Sequence, residues 1–270
     1  MIKFLYWNIN KKPLTELITQ LAYKHDIDFL ILAESKLDSA HLLKLINSKV
    51  DSFFSEAPPR LGGPVKIYSR LDDQFIRPKE DGRIAIRHIK PPIGVDFILV
   101  AVHLPSKLYR QAGDQADTCR RMSETIEEIE SQIGHTRTLL IGDMNMNPFE
   151  EGMICATGVH GISDRMTAAK GSREVEGQKY KFFYNPMWSY LGDISAGPPG
   201  TYFYNSGGDI NFYWNIFDQV LIRPELLSTF SNDSIQIITK VGQVSLISEL
   251  GRPNRSDGSD HLPILLSLKI

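Results

Sequence analysis

Residues 138–145, TLLIGDMN, run from a short apolar stretch straight into Gly142-Asp143-Met144-Asn145. A run that short and that apolar reads as a strand buried on both faces, and its abrupt polar end marks a place where a scaffold can present chemistry. Immediately upstream, Ala112, Ala116, Cys119, Met122, Ile126, Ile129 and Ile133 step by three or four, which predicts a long helix over 110–133. Before that helix, the apolar run FILVAV at 97–102 ends on His103. Strand, helix and strand make a β-α-β unit whose two strands both finish on polar residues.

The same pattern opens the chain. IKFLYWN at 2–8 reads as a buried strand, Leu14, Leu17, Ile18, Leu21 and Ala22 repeat at helical spacing after Pro13, and DFLILA at 28–33 returns as a strand that runs into Glu34. Between the two units the pattern predicts a short helix around His41–Ile46. Strand-like segments follow near 50–54, 65–69, 73–77, 82–89 and 95–103, separated by turn residues, which together read as a β meander. Beyond Pro148 come a short helix, a loop-rich stretch and strands near 201–204, 216–222, 235–239 and 263–269. With no linker-like stretch, charge block or internal repeat, residues 1–270 read as one α/β domain with two sheets.

Composition narrows the class. The chain has 270 residues, of which 42% are hydrophobic and 23% charged, enough to bury a core without disulfide or metal staples. A formal net charge of -2 excludes attachment to nucleic acid by bulk basicity, although a local basic patch is compatible with it. Cys119 and Cys155 have neither metal-finger spacing nor the density of a secreted disulfide scaffold, so a reducing compartment is expected. The start MIKFLYWNIN lacks a signal-peptide pattern and no 18 apolar residues run together, so the expected location is cytoplasmic, with no membrane association.

Candidate chemistry lies at the strand ends: Asn8, Glu34, His103, and Asp143 with Asn145. Each alone reads equally well as a solvated loop residue, a helix cap or a hydrogen-bonded structural histidine. Their recurrence after successive buried strands matters, because strand termini in layered α/β folds converge on one edge, where ligands bind. Near the C-terminus Ser259-Asp260-His261 precedes the last strand, and Asp218 lies inside the apolar run IFDQVLI. An aspartate in a strand core is costly unless paired. A histidine would supply that pairing and leave its other ring nitrogen free to take a proton from water.

Taken in order, Trp7-Asn8, Ala33-Glu34-Ser35, His103-Leu104, Gly142–Asn145 and Ser259–Ile264 resemble the motifs of the endonuclease/exonuclease/phosphatase superfamily. These are metal-dependent phosphoesterases that include pancreatic-type deoxyribonucleases, apurinic endonucleases, sphingomyelinases and inositol polyphosphate 5-phosphatases. The resemblance spans residues 2 to 270, with Asp218–Val220 fitting the family's internal Asp and Arg83 its phosphate-facing Arg. It implies a four-layer α/β sandwich, two mixed β-sheets packed face to face with helices on the outside and the active site at one edge of both. It also implies Glu34 as principal ligand of Mg²⁺ or Mn²⁺ with Asn8 and Asp260 nearby, a hard-cation donor set. By the same carry-over His261 is the general base partnered by Asp218, Asp143 and Asn145 position the water, and His103, Asn145 and Arg83 hold phosphate oxygens. Direct hydrolysis without a phosphoenzyme follows, because neutralising phosphate charge and aligning water suffice.

Substrate choice is less legible. Residues 60–110 hold ten Lys and Arg against five acids, compatible with a basic strip beside the site or with charges scattered over two solvent faces. Arg252 and Arg255, just before Asp260-His261, are candidates for substrate contact, and Lys170, Arg173, Lys179 and Lys181 form another positive loop. Thirteen of the 26 aromatic residues fall within 180–217, where most are expected to pack the segment onto the sheets and one or two to reach a ligand. The leading expectation is a nuclease, DNA being the favoured substrate. The alternatives are a phosphatase or phosphodiesterase of a small or lipid-linked ester such as an inositol phosphate or nucleotide, and a catalytically idle binding module.

Overall fold

Thirteen strands in two sheets carry the architecture, and a computed structural model describes them over residues 1–49, 53–58, 63, 65–79, 84–107 and 112–270. In chain order the first half contains β1 (Ile2–Asn8), α1 (Thr15–His25), β2 (Phe29–Ala33), α2 (Ser39–Asn47), β3 (Ser55–Glu56), β4 (Val65–Ser69), β5 (Ile76–Pro78), β6 (Ile84–Ile89), β7 (Phe97–His103), α3 (Ala112–Ile133) and β8 (Thr138–Asp143). The second half contains α4 (Glu151–Ile154), β9 (Gly161–Ile162), α5 (Arg165–Ala168), β10 (Ser172–Val175), β11 (Gln178–Lys181), β12 (Phe183–Tyr184), β13 (Tyr202–Phe203), β14 (Trp214–Asn215), β15 (Asp218–Ile222), β16 (Ile235–Ile237), β17 (Lys240–Val241), β18 (Val244–Ser245) and β19 (Ile264–Leu268).

One sheet has the order β16-β19-β1-β2-β4-β3 and the other β5-β6-β7-β8-β15-β12-β9. Each is built around one of the two β-α-β units: β1 runs parallel to β2, β7 parallel to β8, and antiparallel strands flank both pairs. The period of two along β7 explains the layering. Leu99 and Ala101 face the first sheet, while Ile98, Val100 and Val102 face α3 through Cys119, Met122 and Ile126. Phe4 of β1 meets Phe97 of β7 edge to face at 6.0 Å between centroids, across the sandwich. The amphipathic α1 buries Leu17, Ile18 and Leu21 on the outer side of the first sheet. The layers are thus helices, sheet, sheet, helix, the sandwich that the resemblance implies. Fully burying one Leu, Ile or Phe contributes roughly 1.5–3 kcal/mol, so this double core dominates the fold's stability.

The meander expected between the two β-α-β units is divided between the sheets. β4 pairs with β2 and β3 in the first, and only β5, β6 and β7 run as a meander in the second. The segment expected at 73–77 is strand only from Ile76, because the Asp72 side chain accepts from the Gln74 backbone N–H and caps a 3-10 turn at 73–75. The strand expected near 50–54 lies partly outside the described residues and pairing begins at Ser55. The hairpins β10-β11 and β17-β18 have no counterpart in the sequence reading.

Candidate active site

All the polar strand ends arrive at one edge. β1 and β2 are in register with Asn8 opposite Ala33, so Asn8 and Glu34 leave the first sheet together. His103 is opposite Asp143, and Asp143 opposite Asp218, so the second sheet delivers three side chains in a row. Gly142 permits this alignment: a Cβ there would lie 2.1 Å from the Val102 carbonyl oxygen. Glu34 and Asn145 both take left-handed backbone with φ near +50°, a conformation that non-glycine residues adopt at a cost and that here turns the chain sharply at the site.

His261 and Asp218 form the innermost pair. His261 Nδ1 is 2.8 Å from Asp218 Oδ2, and its Nε2 faces Asp143 Oδ2 at 3.9 Å. Burial opposes charging of the imidazole, but Asp218, then Asp143 and Asp260, outweigh it and raise His261 to about 9. Asp143, only 1% exposed, is raised above the ordinary carboxylate range, chiefly by burial and further by Asp218, with His261 and His103 opposing. Behind the pair, the buried Tyr6 hydroxyl is pushed well above the usual phenol value by burial and by the charges of Asp218 and Asp143.

The remaining groups fix the rim. The Asn8 amide donates to Asp143 Oδ2 at 2.9 Å, and its carbonyl oxygen accepts the Asn10 N–H. Asp143 Oδ1 accepts from the Asn145 N–H at 2.8 Å, and the Asn145 amide donates to the Leu104 carbonyl. His103 Nε2 lies 3.5 Å from Glu34 Oε1 and 3.8 Å from Asp143 Oδ2, joining the acids of the two sheets. Ser259 donates to the Asn8 carbonyl oxygen, and Asn10 donates to Asp260 at 3.0 Å. A cleft of about 870 Å³ opens over this edge, lined by Glu34, His103, Asp143, Asn145, Asp260 and His261. Asn8 and Asp218 sit beneath it, and Arg83 lies outside the described residues.

Hard oxygen donors suit this cleft to a divalent cation. Glu34, Asp143 and Asp260 all line it, together with His103, His261 and Lys107, and the ammonium of Lys11 lies 3.1 Å from Glu34. Asp143, Asp218 and His261 offer ligand atoms within 4.8 Å of one another, but an ion gripped by all three would displace the 2.8 Å His261–Asp218 hydrogen bond.

Several contributors were missed from the sequence. Tyr202 bridges to His261 in the backbone and packs on its ring at 4.6 Å, while Thr201 accepts the N–H groups of both Asp218, through its hydroxyl, and Leu262, through its carbonyl. Tyr202, Tyr204, Phe212 and Phe217 all line the cleft, whereas Phe182, Phe183 and Tyr184 pack the core. Their density in sequence was the available signal. Among the described cations of residues 60–110, Arg70 pairs with Asp26, Arg87 is buried, and Lys107 reaches the cleft, while Arg60, Arg83 and Arg110 lie outside the described residues. The positive loop at 170–181 is β10-β11, and its Lys181 binds Glu130 at the opposite end of the second sheet.

That opposite end holds a second cluster. His88 Nε2 and His135 Nε2 lie 2.8 and 3.1 Å from Asp96 Oδ2, Arg137 pairs with Asp96 Oδ1, and the Arg137 N–H donates to His135 Nδ1 at 3.1 Å.

No protein-family model matches the sequence, and no curated protein matches it. Solved structures do match over the full length. An AP endonuclease from Archaeoglobus fulgidus has 13% identity and a TM-score of 0.57, with 100% of each chain covered. The 3′ phosphatase NExo from Neisseria, bound to a product DNA hairpin, has 14% identity and a TM-score of 0.57, with 99% of each chain covered. An endonuclease/exonuclease/phosphatase family protein from Bacteroides thetaiotaomicron has 13% identity and a TM-score of 0.57, covering 99% of this chain and 94% of that one. The chain thus shares its fold with these proteins. Among the described residues, no helix is long and apolar enough to cross a membrane.

Proposed function

We propose that this protein is a phosphodiesterase dependent on Mg²⁺ or Mn²⁺ that hydrolyses nucleic acid, with DNA as the favoured substrate. The observation that carries the reading is the His261–Asp218 pair, bonded at 2.8 Å, facing the same cleft as Glu34, Asp143 and Asp260. In this reading Asp218 fixes the imidazole so that Nε2 points into the cleft and takes a proton from the attacking water. The imidazolium so formed is held by the surrounding carboxylates that raise its pKa. Asp143 and Asn145 orient the water, and His103 with the Asn145 amide faces the non-bridging oxygens. Glu34 would hold the cation, with Asp260 and Asn8 beside it. When bound, the ion supplies positive charge to the phosphate and offsets the carboxylate charge that keeps His261 protonated. Arg252 and Arg255 lie in the groove next to the cleft and serve the substrate's remaining charge.

The test is nicking of supercoiled plasmid and cleavage of DNA and RNA oligonucleotides with Mg²⁺ or Mn²⁺. Cleavage that is lost with EDTA and in His261→Ala is expected. Release of orthophosphate from small esters with no cleavage of nucleic acid would overturn the nuclease reading in favour of a small-ester phosphatase.

A further inference from the structure

Beside the active-site cleft lies a second groove, of about 410 Å³, lined by Phe203, Tyr204, Ser248, Arg252, Asn254 and Arg255 among others. Tyr204 lines both grooves and so forms the ridge between them. The ridge continues from the chemistry outward. The Tyr202 ring lies 4.6 Å from that of His261, and the Tyr204 ring stands nearly parallel to Tyr202 at 6.4 Å, half exposed.

The far side of the ridge is cationic and built. The Arg252 guanidinium stacks 4.3 Å from the Phe203 ring centroid, and Arg255 donates to the Phe203 carbonyl oxygen at 3.4 Å. Neither guanidinium pairs with a carboxylate among the described residues, and Asp257 receives the Asn254 amide instead. Lys12 donates to the Arg255 carbonyl oxygen at 3.1 Å, and its neighbour Lys11 reaches Glu34. Four cations thus run from the candidate metal carboxylate to the second groove: Lys11, Lys12, Arg255 and Arg252. A guanidinium stacked on an aromatic ring keeps its hydrogen-bonding edge free for a phosphate.

Resting on the phosphodiesterase reading above, we infer that this groove binds the phosphates flanking the scissile one in a single nucleic-acid strand, with a base stacked on Tyr204. The combination matches the chemistry of unpaired strands: an aromatic face takes any base, and an adjacent cationic groove tracks the backbone. A duplex keeps its bases stacked on one another and offers none to Tyr204. A mononucleotide or small phosphomonoester reaches the cleft but has no phosphate to span the ridge.

The experiment measures kcat/KM on a dinucleotide, a tetranucleotide and a longer single strand for the wild type, for Arg252→Gln/Arg255→Gln and for Tyr204→Ala, with Tyr204→Phe as the conservative control. For the wild type, kcat/KM is expected to rise by roughly tenfold or more with strand length. The arginine double variant should flatten that rise and reduce its salt dependence. Tyr204→Ala should raise KM for the longer strand, and Tyr204→Phe should restore it. A length dependence that is unchanged in the arginine double variant would overturn the proposal while leaving the phosphodiesterase intact. Failure of the wild type to cleave any of the strands would instead overturn the reading on which the proposal rests.

Discussion

Two Asp–His clusters occupy opposite ends of the second sheet, and similar residues behave differently in them. At the cleft, acids outnumber bases: Asp218 takes His261 Nδ1, Asp143 and Asp260 add negative charge, and the ring is raised to about 9 with Nε2 turned toward the cleft. At the far end one carboxylate is shared. Asp96 receives both Nε2 atoms of His88 and His135 together with the Arg137 guanidinium, and these partners hold it below the ordinary carboxylate range despite partial burial. His88 is lowered, mainly by burial. His135 Nδ1 already accepts the Arg137 N–H, so the neutral ring carries its proton on the nitrogen facing Asp96 and has no lone pair to offer a metal there. The ratio of acids to cations, and whether a ring nitrogen is left free, separates the proposed base from a clasp tying the start of β7 to the loop before β8.

The strongest way to break the comparison is at the cleft. His261→Ala should lower kcat by about 10³ on a nucleic-acid substrate, and Asp218→Asn by a similar order, both measured as initial rates at saturating cation. A loss below tenfold for both would demote the pair to a structural contact. Next comes the cation: Glu34→Gln should shift the Mg²⁺ dependence of the rate to roughly ten- to a hundredfold higher concentration, and calorimetric titration should show the matching loss of affinity. If Glu34→Gln leaves the cation titration unmoved, the metal is held elsewhere. At the far end, Asp96→Asn should cost about 1–2 kcal/mol of stability in urea unfolding by removing a charged acceptor from three donors, with turnover near the wild-type value.

Much of the cleft could be read from the sequence because polar residues there interrupt buried strands: Glu34 after FLILA and Asp218 within IFDQVLI violate the local pattern and so announce themselves. Both β-α-β units could be read for the complementary reason, long apolar runs of unambiguous period. The sheet switch between β4 and β5 could not, since strands this short carry no mark of the sheet they join and only tertiary pairing assigns them. Asn10, Lys11, Lys12 and Tyr202 come from loops or a two-residue strand, with no periodicity to interrupt. His88, Asp96 and His135 come from a strand and two separate connections, and nothing in their spacing brings them together.

The smallest expected effect concerns proton linkage at the far cluster. His88 has a folded pKa below the ordinary value, so its unfolded form binds protons more readily than its folded form. Its contribution to stability is therefore complete above about pH 6.5 and is lost as the pH falls through the lower folded value. Asp96 is depressed as well, so its contribution persists to the ordinary carboxylate range and disappears only in stronger acid. In urea unfolding, His88→Gln should therefore remove the His88 share of the slope between pH 7 and pH 5, so that the gap between wild type and variant narrows on acidification. A gap that widens instead would mean that protonated His88 is bound more tightly by Asp96 in the folded state than burial opposes it, and the far cluster would then resemble the cleft in the sign of its histidine shift.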